Sequence, residues 1–519
     1  MKLRLSNIDI GVTNRTCVTL PPLASLTFWM VTPSGRGMKS GTSFGHFGFV
    51  AFGAGHGCSV AWAGTVRVGV AFGFAAGAQE SAARARAGTA KLRRTPRGYV
   101  RPSGLVPWNA PRAARPVDAV VALPGSKSVT NRALVLGALA SGTTVVRAPL
   151  RARDTLLMAA ALRSLGASVV DSGHDWVVSG GPAPAAARVE LGNAGTVSRF
   201  LLSVAALRQG TYAFDGDARI RERPVGPLVA ALRALGADVS GDAFPLVVHG
   251  TGSLRGGAVT LDASASSQLV SGLLLSGPLM ESGLDVRHSG ARVPSRPHLD
   301  MTVAMMRAFG ADVTVAEDRW VVASSGYAAV DVDVEPDLSG AAPFVAAAVV
   351  TGGTVRVPGW PKETTQPGAA LVGLAERLGA TCVLDASGLT VRGPSRVAAI
   401  DADLSDCGEL APVLAAVACV AGGATTLRGI GHLRVQETDR LAALATELRA
   451  FGATVTEAPD ALSIEPGRLR PGTFRTYDDH RLAMAAAVLG LVTDVAVENV
   501  ETVAKTMPDF VDRWTAMLG

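Results

Sequence analysis

The stretch LPGSKSVTNRALVLGALASG (residues 123–142) opens with a polar, basic cluster, continues as an apolar run and stops at a glycine followed by TTVV. It is not a Walker phosphate loop. That loop needs glycine directly before its lysine and a second glycine five residues further back, whereas Ser126 precedes Lys127 here. The unit to look for elsewhere is an apolar helix that begins with Lys127, Ser128 and Arg132 and breaks at Gly142 before a strand.

Six such helices follow one another. Their breaks fall at Gly142, Gly210, Gly283, Gly353, Gly423 and Asp494, spaced 68, 73, 70, 70 and 71 residues apart. After each of the first five breaks comes a second helix with an expected C-terminal glycine: Gly166, Gly236, Gly310, Gly379 and Gly452. Glycine suits the residue after a helix because the left-handed conformation is common there. The sixth second helix, FVDRWTAMLG, ends at Gly519. Its missing strand is expected in VDAVVAL (residues 117–123), which puts both ends of the body in one domain. A period near 70 is too long for a helical solenoid, and six β-α-β-α-β units suit two lobes of three, with a boundary near residue 335.

Charge is uneven along the 519 residues. Residues 1–116 carry fifteen Lys and Arg against Asp9 and Glu80 alone, while the remainder holds 34 basic and 41 acidic residues. The net +6 therefore describes the leader and gives the body no nucleic-acid signature. The leader has two readings, an organelle transit peptide or a segment outside the working protein. Its glycine-rich composition favours the second, with disorder to about Pro116. Its most membrane-like window, residues 58–78, has Arg67 near the middle, at an insertion cost of roughly 2.5–3.5 kcal/mol, and is read as non-spanning. Cys17, Cys58, Cys382, Cys407 and Cys419 have neither CxxC spacing nor nearby histidine pairs, which excludes a disulfide framework or zinc site and fits a reducing cytoplasm.

Every helix in the body opens with polar residues. The first helices open with SKSVTNR, GNAGTVSR, SASSQ, EPDLSG, DCGEL and DDHR, and the second with RARD, RERP, SRPH, TQP, RVQETDR and KTMPD. Helix starts present unpaired N–H groups and partial positive charge, so they receive phosphate and carboxylate. The cations are Lys127, Arg132, Arg199, Arg223, Arg440, Arg481 and Lys505; the acids are Glu409, Glu437, Asp439, Asp478 and Asp479. Ser266, Ser267, Gln268 and Ser295 add neutral donors. Taken singly, Ser339 or Asp154 reads as a cap and His480 as a structural histidine; recurrence at one position in every unit argues for an anionic ligand between the lobes.

Over residues 117–519 these motifs, with AKTMPDF, resemble the 5-enolpyruvylshikimate-3-phosphate synthase family, in family order. The resemblance implies an α/β fold of two similar lobes, each of three β-α-β-α-β units, an inside-out α/β barrel whose chain passes between lobes twice. The lobes would be residues 117–125 with 335–519, and 126–334. It implies transfer of the enolpyruvyl group of phosphoenolpyruvate to the 5-hydroxyl of shikimate 3-phosphate with release of phosphate, on the shikimate pathway to chorismate and aromatic amino acids. Both substrates are small molecules. No metal, organic cofactor, nucleic acid or membrane is implied, and a cytoplasmic monomer is expected.

Carried over by motif, Lys127, Asn193, Gly195, Thr196, Arg223, Gln268, Arg440, Arg481 and Lys505 would hold phosphoenolpyruvate. Lys127, Ser128, Arg132, Ser266, Ser267, Gln268, Ser295, Glu409, His432 and Gln436 would hold shikimate 3-phosphate. Lys127, Glu409, Glu437 and His480 are the catalytic candidates, with Glu409 near the reacting hydroxyl and Glu437 near the transferred methylene. Desolvation and neighbours are expected to shift the lysine and carboxylate pKa values toward neutrality. Many members have aspartate at Glu409, lysine at Gln436, asparagine at His432 and tyrosine at His298; His432 is the candidate to compensate for the lysine. The rival functions are the sister transferase acting on UDP-N-acetylglucosamine and a non-catalytic anion-binding protein. The first would have a Lys-Asn pair at Lys127-Ser128 and a reactive loop cysteine, while Cys382, Cys407 and Cys419 read as packing residues.

Overall fold

The computed structural model describes residues 106–519, together with strands Lys2–Leu5 and Ile8–Gly11, which pair as an antiparallel hairpin inside a separate unit spanning residues 1–88. The rest of the leader lies outside the described residues, including window 58–78, Cys17 and Cys58. Among the described residues no helix is long and apolar enough to cross a membrane.

The body has two hydrophobic cores, one built from residues between 129 and 334, the other from Ala110, Val117, Val121 and residues 338–517. Each core is made of the first helices of three units. Gly195–Ala206, Ala411–Ala418 and His480–Gly490 are buried along their whole length, because a helix that is apolar all round has no face suited to water. Ala342–Thr351, Ala411–Ala418 and His480–Gly490 pack on one another in one lobe, and Gly195–Ala206 packs on Gln268–Leu274 in the other. Small sheets cover them. Strands such as Thr143–Arg147 and Asp175–Ser179 alternate buried and more exposed residues, as expected of a sheet that is dry on one face only. Helices are thus inside and sheets outside, but each sheet is open and none closes into a barrel among the described residues.

The repeat reading holds down to single torsions. Gly166, Gly236, Gly310, Gly379 and Gly452 have φ of 93, 105, 87, 98 and 105°. At the fourth break the left-handed residue is Gly352 (φ 68°) rather than Gly353. Gly353 has a different constraint, since a Cβ there would lie 2.2 Å from the Val117 carbonyl oxygen.

Two strand assignments differ from the sequence reading. Asp118–Val120 pairs in parallel with Thr354–Pro358 and so completes the fourth unit. The sixth is closed instead by Trp108–Ala110, antiparallel to Val495–Val497. The expectation that the body begins at residue 117 is corrected accordingly: Ala110 is buried, and the Trp108 ring lies edge-on to Phe510 at 6.4 Å. A three-residue strand has too few residues for its alternation to stand out, so composition carried the reading past it.

The two lobe crossings exchange strands. Asp118–Val120 precedes the first helix of the first unit yet pairs in the fourth, while Val332–Asp333 precedes the fourth unit's first helix yet pairs with Thr143–Arg147 in the first. The crossings run side by side: Gly125 bridges Pro336, Ser126 N donates to Glu335 O (2.7 Å), and Asp337 N donates to Pro124 O (2.9 Å).

Deleting residues 1–116 is expected to destabilise the body by ~2 kcal/mol or more relative to a chain beginning at residue 106, because it strips a strand and buried apolar surface from the sixth unit. Thermal denaturation of the two truncations measures this; equal midpoints would show that Trp108–Ala110 contributes nothing.

Candidate active site

A cavity of about 990 Å³, including its mouth, opens between the two cores. Ten of the twelve helix starts line it, from Ser126–Ser128 to His480 and Arg481. The other two supply Asp154 and Lys505, which bond to side chains at the site. Few of these starts use a side-chain cap: Ser126 accepts from Val129 N, and Asp439 and Asp479 accept from Ala442 N and Arg481 N. Ser267, which precedes Gln268–Leu274, makes no capping bond, so its hydroxyl faces the cavity without that local role.

Lys127, Arg223, Arg440, Arg481 and Lys505 are brought together. Lys127 Nζ is 3.4 Å from Asp154 Oδ2, and Lys505 Nζ is 3.9 Å from the same oxygen. Glu437 lies among the cations: its Oε1 is 2.7 Å from Lys505 Nζ and 3.8 Å from Arg223 NH1, and its Oε2 is 2.9 Å from Arg440 NH2. Arg440 Nε also meets Asp479 Oδ2 at 2.7 Å, while Arg481 NH1 donates to the Ser339 carbonyl at 2.8 Å. Burial pushes the Lys127 ammonium below its ordinary value, Asp154 opposes this, and Lys505 adds to it. The carboxylate moves the other way from the expectation. Burial would raise Glu437, but Lys505, Arg440 and Arg223 hold it well below the usual carboxylate range.

Ser128, Ser266, Ser267, Gln268, Ser295, Glu409, His432 and Gln436 all line the cavity with Thr196. Burial would raise the Glu409 carboxyl, but the His298 hydrogen bond and charge, with Arg481, bring it to about 2. His432 does not supply the charge absent at Gln436, since burial is the largest influence on its imidazole and lowers it below the ordinary value. Gln436 accepts from Arg440 through its amide oxygen, and its carbonyl accepts from Arg219 Nε and NH2 of the other lobe at 3.0 and 2.9 Å. His480 is kept neutral by burial and by the charges of Arg481, Lys127 and Lys505.

Four expected ligands do not line the cavity: Lys505, already placed on Glu437, and Arg132, Asn193 and Gly195. Arg132 is fully buried, donating to Thr302 Oγ1 (2.8 Å) and to the carbonyls of Ser128 (3.0 Å) and His298 (2.9 Å) over the Phe200 ring. It therefore fixes two helix starts and does not reach the cavity. Asn193 accepts from Arg223 through both its carbonyl (3.0 Å) and Oδ1 (3.1 Å), and its carbonyl also accepts from Lys505 of the other lobe (3.0 Å). Gly195 leaves room for cations, since a Cβ there would lie 2.7 Å from Arg223 NH2 and 2.9 Å from Gln268 Oε1.

Sequence reasoning underrated Asp154 and Ser339 as caps and read Asp337 only as part of a polar cluster. Asp154 pairs with both lysines, Asp337 accepts from Lys127 N at 3.4 Å, and Ser339 donates to Glu409 Oε1 at 3.3 Å. Their place at helix starts was the available signal. Gln366, read only as part of a polar cluster, joins the crossing at 335–338: Nε2 donates to Glu335 Oε2 (2.7 Å) and the Pro336 carbonyl (2.9 Å). Cys407 and Cys419 are buried, and burial pushes both thiols up to about 12; Cys382 is pushed up to about 11. None of these three is an activated nucleophile. Among the described residues no cluster could hold a metal ion.

The family model EPSP synthase (3-phosphoshikimate 1-carboxyvinyltransferase) matches residues 111–514. Two solved structures of EPSP synthase from Acinetobacter baumannii are each 26% identical, with TM-scores of 0.65 and 0.64, covering 80% of this chain and 97% of theirs. The enolpyruvyl transferase NikO from Streptomyces tendae shares the fold at 19% identity, TM-score 0.65, over 80% of this chain and 98% of its own. The match takes in nearly all of both cores and every helix start that lines the cavity, and it begins at residue 111, within the last residues of the leader; the chain belongs to the EPSP synthase family.

Proposed function

We propose that this cleft transfers the enolpyruvyl group of phosphoenolpyruvate to the 5-hydroxyl of shikimate 3-phosphate by addition and elimination, with the following division of labour. The observation that carries it is a cation cluster drawn from both lobes: Arg223, Arg440 and Lys505 pair with Glu437, and Lys127 and Arg481 line the same cavity. Lys127 and Arg223 from one lobe, with Arg440, Arg481 and Lys505 from the other, hold the phosphate and carboxylate of phosphoenolpyruvate; guanidinium groups suit both by paired hydrogen bonds. Ser128, Ser266, Ser267, Gln268 and Ser295 hold shikimate 3-phosphate, and Asn193, Gly195 and Arg132 position the groups that touch substrate.

In addition, a proton goes to C3 of the enol, the 5-oxygen bonds to C2, and the hydroxyl proton leaves. In elimination, C3 returns its proton and the C2–O bond to phosphate breaks. Glu437 is placed for the C3 transfers and Glu409 for the hydroxyl. Glu437 is ionised beside its cations, so it must gain a proton to begin. Substrate anions that share Lys505, Arg440 and Arg223 weaken the hold on the carboxylate and raise its pKa. Lys127, lowered by burial, is placed to relay protons and to stabilise departing phosphate, and His480 offers a neutral polar edge.

Glutamate at 409 brings its Oε1 to 3.3 Å from His298 Nε2. The cysteine environments weigh against the UDP-N-acetylglucosamine reading, and the complete charged set weighs against a non-catalytic protein. We place the enzyme in the cytoplasm as a monomer, with the lobes divided at the strand-exchanging crossings.

Phosphate release from phosphoenolpyruvate with shikimate 3-phosphate, and its absence with UDP-N-acetylglucosamine, tests this reading; release with neither, or only with the sugar nucleotide, contradicts it. Lys127→Ala and Glu437→Gln are each expected to lower kcat by at least ~100-fold, the usual scale for proton-transfer groups, and wild-type rates in both would remove their roles. Gly195→Ala pushes a methyl group against the Arg223 guanidinium, which Asn193 prevents from retreating freely. It is expected to raise the KM for phosphoenolpyruvate ~10-fold, equivalent to about 1.4 kcal/mol, with little change in melting temperature; an unchanged KM would contradict the placement of Arg223.

A further inference from the structure

Glu409 stands on the turn Gly408–Leu410 of one lobe, and His298 on the first turn of helix Pro297–Ala308 of the other. His298 Nε2 lies 3.3 Å from Glu409 Oε1, and both side chains line the cavity at 18% and 16% exposure. Ser339 Oγ donates to the same Oε1 at 3.3 Å. No other side chain hydrogen-bonds this carboxylate among the described residues, so Oε1 is committed and Oε2 is the oxygen available to an acceptor.

The pair belongs to a seam between the lobes. Ser295 N donates to the Ser405 carbonyl at 2.8 Å, and Arg292 reaches Ser405 Oγ at 2.7 Å and Asp406 Oδ2 at 2.6 Å. The His298 carbonyl is held from behind by Arg132 and by Thr302 Oγ1 (2.8 Å). Its Nδ1 is buried without a partner, so no competing hydrogen bond draws the ring elsewhere. Ring and carboxylate meet because two separately folded surfaces are in register, and parting of the lobes would separate them.

We propose that His298 is a positioning residue for the transfer: delivered by the opposite lobe, its Nε2–H fixes Glu409 Oε1 so that Oε2 takes the acceptor's hydroxyl proton only in the closed cleft. In that step the acceptor O–H bond breaks and its electron pair forms the new bond to C2 as the C2–C3 π pair takes a proton at C3; the hydroxyl proton passes to Oε2, from which it reaches solvent when product leaves. This rests on the functional reading above. Besides His298, the groups facing Glu409 are Arg481, Arg440 and His432 from its own lobe, with Asp406 and Cys407 beside it. Burial favours the neutral carboxyl, so loss of the imidazole moves its titration upward from about 2. Its ionised form is then lost as pH falls through the raised value.

The test is phosphate-release kinetics of His298→Phe, His298→Gln, Glu409→Gln and the Phe/Gln double variant, from pH 5 to 8. His298→Phe is expected to lower kcat ~10–100-fold, less than the ~100-fold or more of a group that itself transfers the proton, with the KM for phosphoenolpyruvate changed less than ~3-fold. Its kcat falls toward pH 5 more steeply than that of the parent. His298→Gln, which retains an N–H donor, recovers most of the loss. In the Glu409→Gln background the Phe substitution costs less than ~3-fold, because the two act as one unit. An active parent whose Phe variant keeps its kcat, or loses as much in both backgrounds, overturns the inference while leaving the functional reading standing. A Gln variant no better than Phe does the same. A parent that releases no phosphate overturns the functional reading, and this inference with it.

Discussion

Like charges crowded into one dry place are the constraint on which the site depends. Lys127, Arg223, Arg440 and Arg481 line a single cavity and Lys505 stands directly behind it on Glu437, with Asp154, Glu437 and Asp479 as the acids paired among them. Two unit charges 4 Å apart repel by about 4 kcal/mol at an effective dielectric of 20, and no single helix could hold so many in register. The cost is spread over both lobes: each contributes helix tips whose cations are tethered to carbonyls and carboxylates, as Arg223 is to Asn193 and Arg481 to Ser339. Substrate anions complete the neutralisation, so binding and the approach of the lobes are thermodynamically coupled.

The fold makes the convergence possible by repetition. Largely buried first helices start at the cavity in each unit, and the sheets lie outside. The exchanged strands Asp118–Val120 and Val332–Asp333 tie each lobe to a segment that immediately enters the other. Contacts at the rim, Arg219 to Gln436 and Lys505 to Asn193, then set how the tips meet.

Much of this was legible because a 70-residue period repeats a physical requirement. The five C-terminal glycines need the left-handed region, and that need survives when side chains vary. The polar helix starts were equally plain, and they located the cavity. What could not be read was depth. Arg132 and Ser128 sit one helical turn apart, yet one is behind the wall and the other on it, a difference set by Phe200 and Thr302 from distant units. Asp154 resembles any capping acid until the fold brings Lys505 to it, and Trp108–Ala110 is too short to announce a strand. The direction of the Glu437 shift also depended on how many cations surround it, a number that only the assembled cleft supplies.

The central claim is that the helix tips of both lobes enclose two small anions at one point. Its most direct test is a crystal structure of the chain grown with 5-enolpyruvylshikimate 3-phosphate and inorganic phosphate. The account predicts phosphate between Lys127 and Arg481, and the enolpyruvyl group against Glu437 with the ring between Ser266 and Glu409. Ligand bound on the outer sheets, with the interlobe cavity holding only water, would contradict it.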